Sequence, residues 1–219
     1  MRVKKFRLVL LVLLILAASA VLTIVLYDRL SFRENGSGRF NILLSNPEIA
    51  HLVRADVPEY VDVQLIDVDG EARRGTPLED IAGIVIHYVG NPGSTAQGNR
   101  EYFNEPGTTV SAHFVIGLDG EVIQCVPLWE KSSASNDRNR DTISIECCHP
   151  DEDGKFTEKT YASLVELTAW LCELNDFNAE NVIRHYDVTE KLCPLYFVEN
   201  EDAWVQFRKD VTDQIGNQG

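Results

Sequence analysis

The stretch that decides the fold is GIVIHYV, residues 83–89. Ile84, Val85 and Ile86 follow one another without a polar residue between them. That pattern belongs to a strand buried on both faces, inside a sheet covered by helices rather than on a half-solvated surface. A buried strand needs partners, and the chain supplies them in both directions. VDVQLIDV (61–68) alternates and ends on Asp69-Gly70, which predicts a short edge strand or hairpin arm. NPGS (91–94) turns the chain, and TAQGNREYFNE (95–105) predicts a short helix. SAHFVIGLDGEVIQCVP (111–127) holds two short strand runs around Asp119-Gly120, a hairpin signal. DTISIEC (141–147) alternates as a strand. TEKTYASLVELTAWLCELN (157–175) carries apolar residues at helical spacing behind Thr157, a candidate N-cap. NVIRH (181–185) predicts a last strand, and a helix is expected over 200–213. Strands and helices alternate without segregating, so the expected fold class is α/β, a single mixed central β-sheet flanked by helices.

The N-terminal part reads differently. Residues 8–27, LVLLVLLILAASAVLTIVLY, are apolar on every side and as a helix would span about 30 Å, enough to cross a bilayer core. Four basic residues precede the run and Asp28 follows it, so the positive-inside rule places residues 1–7 in the cytoplasm. The expected organisation is a cytoplasmic tail (1–7), a transmembrane signal anchor (8–27), a stalk or linker (28–55) with one short helix around 47–54, and a folded domain (56–215). The rival reading is a cleavable signal peptide cut after Ala17-Ala18-Ser19-Ala20, but the apolar run continues past that point. Either way the domain is expected outside the cytoplasmic membrane. Beyond residue 27, 34 acidic residues face 16 of the 20 basic ones, a net charge of −18. That surface excludes nucleic acid as a partner. Five cysteines, an odd number, fit poorly with a pure disulfide framework and leave room for a metal ligand. Cys125, Cys147 and Cys172 are expected in the core, Cys148 partly exposed, and His149 at the surface.

RHYDVTEKLCP (184–194) holds His185, Lys191 and Cys193 at spacings that suit neither one helix face nor one strand face. With His87, near the end of the buried strand, they offer two imidazoles and a thiolate. These are good zinc ligands, and three protein ligands with an open fourth position mark a catalytic site. Taken singly each residue is ordinary: a lone strand-end histidine usually just makes hydrogen bonds, and a lone cysteine usually packs in the core.

Four segments in order, GIVIHYVGNPGSTA, SAHFVIGLDGEVIQCVP, NRDTISIE and VIRHYDVTEKLCP, resemble the zinc-dependent N-acetylmuramoyl-L-alanine amidases, the family that includes phage T7 lysozyme and the peptidoglycan recognition proteins. The resemblance covers about residues 76–198. It implies Zn2+ held by His87, His185 and Cys193. Glu146 is then the general base and Lys191 assists the oxyanion. Some members carry a catalytic tyrosine immediately before the histidine of the SAHF segment. Here that residue is Ala112, which leaves the burden on Glu146. His113 is expected in a structural or peripheral role. Peptidoglycan or muropeptide is the implied substrate, cut between the lactyl group of N-acetylmuramic acid and L-alanine. The alternative is a membrane-anchored module that grips muropeptide without cutting it, but non-catalytic recognition proteins typically lack the ligand cysteine. No oligomeric state is read from the sequence.

Overall fold

Strand β2 (Gly83–Tyr88) lies inside the sheet, as its unbroken apolar run predicts. In the computed structural model it pairs in parallel with β5 (Thr142–Cys147) on one side and β6 (Val182–Arg184) on the other. The structure describes residue 44 and residues 46–68 and 70–217. Residues 1–43 and 45 lie outside the described residues, and with them the tail, the apolar segment 8–27 and most of the expected linker. Among the described residues no helix is long and apolar enough to cross a membrane.

The other strands complete one mixed sheet. β3 (Phe114–Ile116) runs parallel to β5 and antiparallel to β4 (Val122–Gln124), and β1 (Val61–Val63) runs parallel to β4. Across the sheet the order is β1-β4-β3-β5-β2-β6. The hairpin forms where Asp119-Gly120 predicts it. Gly120 has φ +86, and a β-carbon there would come within 2.8 Å of Ser163 Oγ, so the turn needs glycine twice over. β1 is the edge strand the sequence suggests, but its parallel partner means it is no hairpin arm.

Helices cover both faces. α1 (Ala50–Arg54) falls in the expected linker, yet Ile49 and Leu52 are fully buried and His51 Nε2 lies 2.9 Å from Asn175 Oδ1. α1 therefore belongs to the compact unit, which begins at Asn46. α2 (Ala96–Phe103), N-capped by Thr95, packs its Ala96 and Phe103 with Val115 and Ile123 of the sheet. α3 (Glu158–Leu174) starts at the Thr157 N-cap and reaches the opposite face, where Trp170 meets Phe114 edge-on at 6.4 Å. After α4 (His185–Thr189) and α5 (Leu195–Glu199), α6 (Glu201–Asn217) packs on α3 through Phe207 and Tyr161.

Two expectations about exposure are corrected. Cys148 and His149 are both buried, because the chain leaving β5 passes under α2 and the Tyr88 ring rather than out to solvent. Asn99 Nδ2 approaches Cys148 Sγ at 3.5 Å, and His149 lies 5.0 Å from Tyr88, ring to ring. All five cysteines are free and buried.

Candidate active site

The register of three parallel strands builds the site. His87 pairs with Glu146 across β2 and β5, so the two side chains leave the sheet side by side on one face. β6 lies on the other flank of β2, with Arg184 registered to Ile86, and His185 follows immediately. All three residues thus sit at the C-terminal ends of parallel strands, where open α/β sheets place their ligands.

The return of Cys193 depends on local chemistry that the sequence reading missed. His185 opens a one-turn helix, α4, and the backbone N–H of its N-cap residue, Arg184, donates to Asp187 Oδ2 at 2.8 Å. Glu190 ends the helix with a left-handed φ of 62° and turns the chain back. The Tyr186 N–H then donates to the Cys193 carbonyl at 2.9 Å, which pins the thiol beside the histidines.

His87, His185 and Cys193 place their ligand atoms within 4.8 Å of one another. Cys193 Sγ lies 3.8 Å from His87 Nδ1, and the imidazole centroids are 4.6 Å apart. Tetrahedral zinc would separate a ligand sulfur and nitrogen by about 3.6 Å. Glu146 Oε1 is 4.0 Å from His87 Nδ1, and its side chain keeps 18% exposure. Two of the four buried side-chain atoms without a hydrogen-bond partner among the described residues belong here, His185 Nδ1 and Glu146 Oε2. Such orphans call for a ligand.

Electrostatics point the same way. Burial holds His87 well below the ordinary imidazole value, with His185 and Lys191 adding to the shift, and lowers His185 too. Burial pushes the Cys193 thiol up to about 12, with Glu146 adding to it. It pushes the Glu146 carboxyl up to about 8, against the opposing charge of Lys191. Every group favours its uncharged form, as burial away from water dictates. A dication bound there would take the neutral imidazoles as they are, and would favour the ionised thiol and the Glu146 carboxylate.

The cluster opens into a cavity of about 280 Å³, bordered by Glu146, Lys191, Tyr102 and Val110. Asn99 lines it. Arg100 does not; its guanidinium donates to the Gln64 and Leu65 carbonyls and braces the chain after β1. A more apolar pocket beneath Tyr161 and Tyr196 contains none of the cluster. Ala112 is a fully buried core residue. His113 is structural: its Nδ1 accepts the Ser144 backbone N–H at 3.0 Å, and its Nε2 donates to the Glu130 carbonyl at 2.8 Å. Two residues at the cluster went unread in the sequence. Ser135 Oγ lies 3.0 Å from His87 Nε2, and Asn136 Oδ1 lies 2.8 Å from His185 Nε2.

A mixed sheet with a His-His-Cys cluster and a carboxylate at its carboxyl edge defines a candidate metallohydrolase domain. The comparisons give the particular family. The model of the N-acetylmuramoyl-L-alanine amidase family matches residues 77–195, and the chain belongs to that family. The N-acetylmuramoyl-L-alanine amidase CwlL of Bacillus licheniformis is 32% identical over 171 residues, covering 69% of this chain and 46% of its own length. The amidase BlyA of Bacillus subtilis (strain 168) is 30% identical, covering 67% and 45%. The solved catalytic domain of XlyA superposes with a TM-score of 0.60 at 28% identity, covering 69% of this chain and 98% of that one. The chain spans about half the length of the curated relatives it matches.

Proposed function

We propose that this chain is a zinc-dependent N-acetylmuramoyl-L-alanine amidase, which hydrolyses the amide between the lactyl group of N-acetylmuramic acid and L-alanine in peptidoglycan. The observation that carries the reading is the convergence of His87, His185 and Cys193 beside Glu146 in an open cavity. Family membership and the amidase names of the relatives support the choice of bond.

His87, His185 and Cys193 would hold the metal. Zinc, when bound, acidifies water and polarises a carbonyl. Glu146 takes the proton of the attacking water on its carboxylate and returns it to the leaving amine of L-alanine. Lys191 borders the cavity and places a positive charge beside the oxyanion that develops on the carbonyl. The products are a glycan strand without its stem and a free stem peptide. The proposal includes location: residues 8–27 anchor the chain in the cytoplasmic membrane and leave the domain outside, where the wall is. The charge asymmetry around that segment supports it.

The full chain, incubated with purified peptidoglycan with and without a chelator, tests this by mass spectrometry of released peptides. Zinc-dependent release of stem peptides beginning with L-alanine is expected. Cys193→Ser should abolish it, and Glu146→Ala should lower it by about 10²–10⁴-fold. Muropeptide binding without any release would sink the enzyme reading.

A further inference from the structure

We propose that Ser135 and Asn136, held in place by Asn139, are positioning residues that set which ring nitrogen of His87 and of His185 faces the metal. The inference rests on the metal reading above and extends it to a turn with no assigned role.

Both imidazoles turn their Nε2 atoms toward consecutive residues. His87 Nε2 is 3.0 Å from Ser135 Oγ, and His185 Nε2 is 2.8 Å from Asn136 Oδ1. An amide oxygen only accepts, so the His185 proton resides on Nε2 and its Nδ1 lone pair is free. That Nδ1 is the buried atom without a hydrogen-bond partner. A serine hydroxyl both donates and accepts, so Ser135 orients His87 but selects its tautomer less strictly. The free edge of His87 is again Nδ1, which faces Cys193 Sγ and Glu146 Oε1.

The turn is built to hold this geometry. Ser135 is fully buried, and Asn136 has a φ of 53°, a left-handed conformation that asparagine tolerates. Asn139 Oδ1 accepts the backbone N–H groups of Ala134 at 3.0 Å and Ser135 at 2.6 Å. The 3₁₀ turn Asn136–Arg140 is tied in turn to β5, because Thr142 Oγ1 donates to the Arg138 carbonyl at 2.6 Å. β5 carries Glu146, so the carboxylate and both rings are registered against one frame. Hydrogen-bond partners on the far nitrogen of a metal-bound histidine raise its basicity and fix its direction, and their loss typically weakens metal binding about 10–100-fold.

The test measures the zinc dissociation constant of the full chain by competition with a chromophoric chelator, and the visible spectrum of its cobalt(II) form. Asn136→Gly keeps the left-handed backbone and removes the acceptor; it should weaken zinc about 10–100-fold and shift the cobalt bands. Ser135→Ala and Asn139→Ala should act in the same direction with smaller effect. Asn136→Asp retains an acceptor and should bind within a few-fold of the parent. A merely structural turn would lower the melting temperature of Asn136→Gly while its zinc affinity and cobalt spectrum stay at parent values, and that result overturns the proposal. If the parent takes up neither ion, the metal reading itself falls and takes this inference with it.

Discussion

On one face of the central strands, Ile84, Ile86, Ile143 and Ile145 are fully buried beneath α3 and α6. On the other, Val85, His87, Ser144 and Glu146 face α2 and the 130–140 segment. The residues alternate along the same two strands. The first face is held by volume: close-packed aliphatic side chains backed by the Phe197, Trp204 and Phe207 rings at centroid distances of 5.3–5.5 Å. The second is held by hydrogen bonds. Ser144 Oγ lies 2.8 Å from Ser132 Oγ, and His113 bonds to β5 and to Glu130. Its bonding fails at Glu146 Oε2 and His185 Nδ1, where the cavity opens. One sheet thus divides its labour, with stability on one side and a partly unsatisfied polar layer on the other. Sequences that obey local rules nearly everywhere tend to break them at functional sites.

That division can be broken at three points. The largest effect is expected from Ile143→Ala on the apolar face, about 2–5 kcal/mol lost in urea unfolding from a cavity the core cannot fill. Amidase activity per folded molecule should stay near that of the parent. A large drop in turnover with little loss of stability would mean the faces are not separable.

The next test concerns His113, the buried base of the polar face. Burial lowers its pKa from 6.5 to about 4. Below pH 6.5 the unfolded chain takes up a proton that the folded chain refuses, because protonating Nδ1 would displace the Ser144 N–H. Stability therefore falls as pH drops from about 6.5 toward 4, by up to about 3 kcal/mol from this one group. Imidazole NMR should find His113 neutral, with its proton on Nε2, down to about pH 4. A pKa near 6.5 would remove His113 from the structural layer.

The smallest effect belongs to Lys191→Ala. The side chain is exposed at the cavity rim, so its charge is screened. Turnover should fall about 10-fold, roughly 1.4 kcal/mol of transition-state stabilisation, with folding unchanged. An unchanged rate would confine Lys191 to an ordinary surface role.

Much of the fold was legible in local pattern. The β-branched run of β2, the Asp-Gly turn before β4 and the Thr157 cap of α3 are short-range signals, and each element appears where its residues predict. β5 was harder. Its alternation of isoleucine with Thr142, Ser144 and Glu146 reads as a half-exposed strand, but only Glu146 keeps appreciable exposure. The strand lies between β3 and β2 with cover on both sides, so its polar residues are solvated by other side chains instead of water. His149 and Cys148 were misplaced for the same reason, since the direction of a chain leaving a sheet is set by what packs over it.

By itself the sequence determined the six strands, the Asp-Gly turn and the longer helices, and through its four segments it singled out His87, Glu146, His185, Lys191 and Cys193 as candidates. Tertiary structure decided the rest. Cys193 and His87 are separated by 106 residues, and they meet because β2, β5 and β6 pair in parallel and a left-handed Glu190 turns the chain back. Ser135 and Asn136 lie 48 and 49 residues from the rings they touch. In sequence they are two polar residues in a polar run. A hydrogen bond depends on the distance and angle between two atoms, and those are fixed only once the strands on either side have found their register.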